Sequence, residues 1–238
     1  MTNAGTDGQA EVTTPGPGLK RVSVLGAAAI NCYIVAEADG SLTLVDTGLR
    51  RSRSRIQRAV EALGAELGDV RRIIVTHAHP DHAGSVAALA EASGATVLAH
   101  QADRAYIEEG RAAPSDERFL LGRLANVRPP RFGGVSGVQA VVDGEQLDGG
   151  LTIIHLPGHT PGHIGVKHEA SGTLMAADAL FHIRKLTESP RFLCNDAALA
   201  RQSANRLAEL EFETIAFGHG PELGPDERTK LEAFLPRT

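Results

Sequence analysis

The chain has 238 residues, of which 42% are hydrophobic and 22% are charged, and its formal net charge is -5. This length suffices for one large domain or two small ones with an ample core. The negative charge argues against a nucleic-acid-binding surface, and no stretch is long and apolar enough to span a bilayer. Because Cys32 and Cys194 form no redox or metal-binding pair in the sequence, we expect a cytoplasmic protein without disulfides.

The first eighteen residues are rich in Thr, Gly and Pro. They lack the basic start and the apolar run of a signal peptide. They also offer too little apolar surface to offset the entropy lost on ordering. We therefore predict a flexible tail over residues 1–18 and a single folded domain over residues 19–238.

Apolar patterning in the first half predicts strands followed by helices. Strands are expected over residues 21–25, 30–35, 42–45, 73–75 and 96–99, with Asp39-Gly40 forming a hairpin turn. Helices are expected over residues 51–63, 85–90 and 101–109, the last capped near His100.

The second half repeats this plan after an irregular segment. Residues 110–137 contain several Pro and Gly residues around one helix-like stretch at 115–124, and segments of this kind often cover active sites. Strands are then predicted over residues 139–142, 151–155, 164–167, 173–176 and 214–217, with a helix over 196–210.

A dense cluster of histidines follows the predicted strand 73–75. His77, His79, Asp81 and His82 lie within six positions, and Pro80 holds the intervening turn in a non-helical conformation. Imidazole and carboxylate donors together favour zinc, with iron or manganese as alternatives. The cluster therefore predicts a metal site at the carboxyl end of a strand.

Three later strands also end in loops that carry donors. These loops are Gly158 to His163, Ala177-Asp178 and Phe217 to Gly220. Each places a histidine or an aspartate directly after a strand, as the first half does.

The run from His77 to His82, His-x-His-x-Asp-His, resembles the metal motif of the metallo-β-lactamase superfamily. The match extends from about Leu19 to the C-terminus. The resemblance implies an α/β protein with an αββα sandwich, in which two mixed β-sheets lie between helical layers. It also implies two metal ions, expected to be Zn²⁺, at the edge where the strand-ending loops converge.

Carried over by motif, the resemblance implies a complete set of seven metal ligands. His77, His79 and His159 would hold the first ion, Asp81, His82 and His219 the second, and Asp178 would bridge both. Asp46 matches an aspartate that supports the ligands from behind. His163, four residues after His159, is assigned to packing or to hydrogen bonding behind the site.

The implied reaction is hydrolysis by a metal-bridging hydroxide, since coordination lowers the pKa of water to roughly 7. Asp81 would also relay a proton to the leaving group.

Asp178 as the bridge resembles the glyoxalase II and lactonase branches, which indicates a small ester, thioester or lactone. Glutathione recognition is disfavoured, because little chain follows His219 and His182-Ile183-Arg184-Lys185 replaces the Gly-Cys-Gly-Arg run of that branch. Some lactone-cleaving members carry a tyrosine where this chain has Phe181.

Two alternatives stay open. One is a mononuclear iron oxygenase acting on persulfides through His77, His79 and His159, and the other is a non-catalytic metal-binding module.

The expected partner is a small-molecule substrate, with neither nucleic acid nor membrane. The sequence leaves open the acyl group, the native metal, the oligomeric state, the role of residues 110–137, and whether His182 or Cys194 lines the pocket.

Overall fold

The computed structural model describes residues 11–26 and 29–235. The strands, in chain order, are β1 Glu11–Gly16, β2 Leu19–Leu25, β3 Ile30–Ala36, β4 Leu42–Val45, β5 Val70–Val75, β6 Thr96–His100, β7 Gln139–Val141, β8 Gln146–Leu147, β9 Leu151–His155, β10 Ile164–His168, β11 Thr173–Met175, β12 Leu180–Phe181, β13 Thr187–Glu188 and β14 Thr214–Ala216. The α-helices are α1 Arg53–Glu61, α2 Val86–Ser93, α3 Gln101–Glu109, α4 Leu120–Val127, α5 Ala197–Arg206 and α6 Arg228–Phe234.

The described strands form two large sheets and one small hairpin. The first sheet runs β1-β2-β3-β4-β5-β6-β7 and changes from antiparallel to parallel pairing at β4. The second runs β14-β11-β10-β9-β8, with a parallel pair between β11 and β14 and antiparallel pairs elsewhere. Strands β12 and β13 pair with each other. Both large sheets are therefore mixed, as predicted.

Alternate residues of single strands pack into different layers, because successive side chains point to opposite faces of a sheet. In β5, Ile73 and Val75 pack in a core that includes residues of α1, α2 and α3, whereas Ile74 packs between the two sheets. In β11, Met175 faces the space between the sheets, and Leu174 packs with residues of α5 and α6. Helices thus cover both outer faces, which confirms the αββα sandwich.

Several strands end at one common edge of the sandwich. Because β9, β11 and β14 point the same way in the second sheet, the loops after them emerge together. The loop after β5 joins this edge from the first sheet, where the Ile164 amide donates to the Thr76 carbonyl at 2.9 Å. The two sheets therefore bring their strand-ending loops to one place.

The N-terminal segment differs from the predicted tail. Residues 11–16 form β1, which pairs antiparallel with β2 and places Val12 opposite Val22. The backbone hydrogen bonds between β1 and β2 order a segment that has little apolar surface of its own. Amino-acid composition alone does not reveal such backbone pairing. Residues 1–10 lie outside the described residues.

The helix in the irregular segment begins later than predicted, at Leu120 rather than at residue 115. Asp116 is the reason, since its Oδ1 atom accepts from the Arg118 amide at 2.9 Å. Such a local side-chain bond competes with helical backbone bonding. The Asn126 side chain then ties α4 back to both backbone groups of Ser115.

Across the described ranges, the helices are all too short or too polar to cross a lipid bilayer.

Candidate metal centre

The loop after β5 is a compact turn that carries four of the predicted ligands. The His79 amide donates to the His77 carbonyl at 3.0 Å, and the Ala83 amide donates to the His79 carbonyl at 2.8 Å. Gly84 closes the turn, where an added Cβ would overlap the Pro80 carbonyl. These local bonds direct the side chains of His77, His79 and His82 toward the same side.

His77, His79 and His159 form the first group of donors. Their ring centroids lie 4.7–4.8 Å apart in all three pairs, with interplanar angles between 82° and 86°. The Nε2 atom of His159 lies 3.0 Å from Nδ1 of His79. Three imidazoles that converge on one point form a donor set suited to a cation such as zinc.

Asp81, His82 and His219 form the second group. The Oδ2 atom of Asp81 lies 3.4 Å from Nε2 of His219 and 3.9 Å from Nε2 of His82. Each of these residues offers one donor atom, and the donors lie within 4.8 Å of one another. A second cation therefore has a candidate site beside the first.

Asp178 lies between the two groups. Its Oδ2 atom is 3.4 Å from Nε2 of both His159 and His219, and its Oδ1 atom is 3.2 Å from Nε2 of His82. It follows β11 in a short turn in which Ala177 adopts a positive φ of 47°. The structure therefore brings all seven predicted ligands together, with Asp178 at the centre.

Hydrogen bonds behind the rings determine which imidazole nitrogens face inward. Nδ1 of His82 lies 2.7 Å from the Asp46 carboxylate, and Nδ1 of His219 contacts the Ala29 carbonyl. Since carboxylates and carbonyls only accept, Nδ1 must carry the proton in both rings. The Nε2 lone pairs of His82 and His219 therefore point into the site.

Three buried polar atoms at this point make no hydrogen bond of regular geometry among the described residues: His77 Nε2, His82 Nε2 and Asp178 Oδ1, of which the last two lie 3.2 Å apart. Buried polar atoms are nearly always bonded. Cations at the two candidate sites would satisfy all three, since each atom offers a lone pair. The donor set thus fits the metal ions that the motif implies.

The electrostatics of the first group keep its rings neutral. Burial lowers the pKa of His77, His79 and His159. Neighbouring imidazoles lower the pKa of His77 and His159 further. Neutral imidazole is the form that binds a metal.

The second group is ion-paired around two carboxylates. Burial acts to raise the pKa of Asp81 and Asp178, but the nearby charges of His82 and His219 outweigh burial and lower both values. In turn, Asp178 and Asp81 outweigh burial at His219 and raise its pKa to about 10. Positive charge is therefore stabilised at this position, whether it is carried by protons or by a cation.

Asp46 and His163 occupy the supporting positions predicted for them. Asp46 accepts from the Thr76 amide at 2.8 Å and from the Thr76 hydroxyl at 2.7 Å, in addition to its contact with His82. His163 donates from Nδ1 to the Leu156 carbonyl, while its Nε2 atom accepts from the Asp178 amide at 3.1 Å. His163 therefore holds the backbone of Asp178 rather than joining the donor groups.

Ser189 supports the site but carries no sequence signal. Its hydroxyl lies 2.7 Å from Nδ1 of His159 and reaches the ring from the position directly after β13. No motif includes this serine, and only the folded chain brings it to His159.

A cleft of about 500 Å³ opens over the donor groups. It is lined by donors and by mostly apolar residues, including Leu25, Ile30, Leu49, Ala112, Ala113, Ala125, Pro130, Phe181 and Leu193. Lysine and arginine are absent from its described lining. Five lining residues come from the segment 110–137, which therefore forms one wall: Ala112, Ala113, Ser115, Ala125 and Pro130.

Phe181 lines the cleft, whereas His182 and the two cysteines do not. Phe181 lines the cleft and stacks on His219 with a centroid distance of 4.4 Å. His182 points away, with Nδ1 at 2.8 Å from the Pro221 carbonyl. Cys194 is buried with its Sγ atom 3.9 Å from Nδ1 of His159, and Cys32 is buried in the core of the first sheet. Neither His182 nor Cys194 lines the described cleft.

Comparison with known proteins gives the class. The sequence profile of the metallo-beta-lactamase superfamily matches residues 25–219. The chain therefore belongs to the metallo-beta-lactamase superfamily, whose members use divalent metals and include many hydrolases.

Three of the curated relatives share less than a third of their aligned residues with this chain. The chain is 28% identical to the probable metallo-hydrolase YflN of Bacillus subtilis over 83% of this chain and 82% of YflN. It is 29% identical to an N-acyl homoserine lactonase of a Bacillus species, covering 80% and 81% of the two chains. It is 28% identical to the hydroxyacylglutathione hydrolase GloC of Haemophilus influenzae, covering 63% and 66%. Among solved structures, the Rm3 metallo-beta-lactamase superposes with a TM-score of 0.73 at 21% identity, covering 94% and 91%, which shows the shared fold.

Proposed function

We propose that this protein is a two-metal hydrolase, using zinc, that cleaves a small ester, thioester or lactone. The observation that carries the proposal is the convergence of seven donors, three of which have a buried polar atom that makes no hydrogen bond among the described residues. His77, His79 and His159 would hold one ion, Asp81, His82 and His219 the other, and Asp178 both. Iron or manganese would fit the same donors.

Two ions bound there would polarise a carbonyl and lower the pKa of water to about 7, which supplies a nucleophile at neutral pH. The chain's own residues then position the reactants. The ionised carboxylates of Asp81 and Asp178 balance the charge of the cations, and the supporting bonds from Asp46 and Ser189 fix the rings. Preorganised groups of this kind cost no reorganisation during the reaction.

Asp81 is the proposed proton carrier. It lines the cleft and its side chain is 32% exposed, whereas the side chain of Asp178 is 3% exposed. It can therefore reach a leaving alkoxide or thiolate as well as the second ion. No serine or cysteine nucleophile is required.

The cleft supports an apolar acyl group as the part of the substrate beside the donors. Its lining offers aliphatic and aromatic contacts and, among the described residues, no cationic side chain to pair with the carboxylates of glutathione. The lactonase and hydroxyacylglutathione hydrolase relatives act on ester-type bonds of the kind proposed. Together these features favour an uncharged lactone or thioester.

Metal analysis and a substrate panel test the proposal. Purified protein should hold close to two zinc ions per chain and should hydrolyse acyl lactones, acyl thioesters or carboxylic esters, with phosphodiesters and a β-lactam as comparison substrates. Rates should rise with acyl chain length until the cleft is filled. One iron per chain together with oxygen consumption in the presence of a persulfide would replace hydrolysis by oxygenase chemistry.

The proposed partner is a small molecule, rather than nucleic acid or a membrane. We also retain the cytoplasmic location as a proposal, because Cys32 and Cys194 are both unpaired thiols.

A further inference from the structure

Asp103 is a buried carboxylate that belongs to neither group of donors. It lies in the first turn of α3 and is fully shielded from solvent. Charged side chains are seldom buried unless their oxygens are bonded. Its surroundings therefore need an explanation.

All three of its hydrogen-bond partners lie in the two loops that carry the first group of donors. Oδ2 accepts from the Ala78 amide at 2.8 Å and from the Thr160 hydroxyl at 2.6 Å. Oδ1 accepts from the Gly162 amide at 2.7 Å. Ala78 stands between His77 and His79, and Thr160 directly follows His159.

The fit at this contact is close. A Cβ added to Gly162 would lie 2.8 Å from Oδ1 of Asp103 and 2.5 Å from its backbone nitrogen, so only glycine lets the loop approach α3. A second contact comes from the same end of α3. His100, which caps the helix, stacks on His155 at 3.8 Å, and Nε2 of His155 donates to the Pro161 carbonyl at 3.0 Å.

We propose that Asp103 is a positioning residue for the first metal site, because it fixes the loop of His77 and His79 relative to the loop of His159. The inference rests on the proposed function, since it assumes that these three imidazoles bind a cation. Rings held in place before binding pay less ordering entropy when the cation arrives. The effect of Asp103 should therefore appear in metal affinity itself.

The three partners explain why this position needs a carboxylate. The backbone amides of Ala78 and Gly162 can only donate, and each donates to a different oxygen of Asp103. The Thr160 hydroxyl donates to Oδ2, the oxygen that also accepts from Ala78. An asparagine of identical shape would present its amide hydrogens to at least one of the Ala78 and Gly162 amides. One donor would then lose its partner in a buried place, and the two loops would separate.

The test compares Asp103→Asn with two other variants. Thr160→Val removes one of the three bonds and keeps the carboxylate. Asp143→Asn is the matched control, since Asp143 also accepts a backbone amide, that of His155, but its other partner is Arg206 on the surface. Zinc affinity is measured by competition with a chromophoric chelator, and the unfolding temperature is measured on zinc-free protein.

For Asp103→Asn we expect the zinc dissociation constant of the first site to rise about 10 to 100-fold, the range found for groups that orient metal ligands. Thr160→Val should give a smaller rise, and Asp143→Asn should bind zinc like the wild type. If Asp103→Asn lowers the unfolding temperature of the zinc-free protein but binds zinc normally, the role is merely structural and the inference is wrong. A wild-type chain that binds no zinc would instead overturn the proposed function, and this inference with it.

Discussion

At the scale of single residues, the site depends on what lies behind each ring. Nδ1 of His82 faces a carboxylate, Nδ1 of His219 faces a carbonyl and Nδ1 of His159 faces the Ser189 hydroxyl. These acceptors hold the Nε2 lone pairs toward the centre of the site. His163 has the opposite arrangement, because both of its nitrogens are engaged by backbone groups.

The roles of His159 and His163, which lie in one loop, can be distinguished by substituting each of them. His159→Ala should remove the first metal and lower the hydrolysis rate by several orders of magnitude, because it deletes a ligand. His163→Ala should keep both metals and cost about 10 to 100-fold, because it loosens only the backbone of Asp178. Metal content and initial rates for the two variants suffice. Metal loss in His163→Ala, with retention in His159→Ala, would reverse the assignment.

Asp178 gives the second prediction at this scale. Asp178→Ala removes the only described carboxylate that lies near both donor groups, so at least one metal and nearly all hydrolysis should be lost. Asp143→Ala, a carboxylate away from the donors, serves as the control and should retain both. A variant of Asp178 with two metals and the wild-type rate would refute the bridging role.

The residues that the sequence could not reveal share one property. His77 to His82 and Gly158 to His163 are local motifs that can be read from spacing alone, and the structure brings their donors together. Ser189 and Asp103 lie far along the chain from the residues they hold, and a serine or an aspartate in a loop or helix has no distinctive local pattern. Only the tertiary contacts at 2.6–2.8 Å identify them.

At the scale of secondary structure, strands buried on both faces were the easiest elements to predict. Runs such as Ile73-Ile74-Val75 lie between a helical layer and the second sheet, so each residue contributes to a core. Strand β1 and helix α4 were harder. The first is ordered by edge bonding, and the second exposes Leu120, Leu121, Leu124 and Val127, so its apolar pattern does not mark a buried face.

Helix α3 carries a pH-dependent cap. Burial and the stacked His155 ring lower the pKa of His100 to about 4. The folded state therefore keeps this ring neutral down to about pH 4, whereas an unfolded chain takes up the proton near pH 6.5. The unfolded state binds more protons in this window, so the free energy of unfolding should fall as the pH drops from about 6.5 to 4.

His100→Asn isolates this contribution, because asparagine keeps an acceptor for the Ala102 amide without titrating. Between pH 7 and pH 4.5 the zinc-free variant should lose about 2 kcal/mol less unfolding free energy than the zinc-free wild type. Urea denaturation at several pH values measures the difference. Parallel curves for the two proteins would contradict the assignment.

At the scale of the whole molecule, the metal centre joins the two halves of the sandwich. His77, His79, Asp81 and His82 come from the first sheet, and His159, Asp178 and His219 come from the second. The three cores, by contrast, consist of apolar side chains that do not include the ligands. The fold should therefore form without metal, while the edge that carries the donors should be held together by it.

Removal of zinc tests this division. Chelation should lower the unfolding temperature and leave the far-ultraviolet circular dichroism spectrum unchanged, since the sheets and helices keep their cores. Restored zinc at 100 times its dissociation constant should add about 2.7 kcal/mol to the free energy of unfolding, because it binds only the folded state. Asp178→Ala should show a smaller gain at the same zinc concentration, because it lacks the carboxylate shared by both groups. Equal unfolding temperatures with and without zinc would mean that the two sheets are fixed without the ions, and a loss of the helical spectrum on chelation would mean that the cores depend on them.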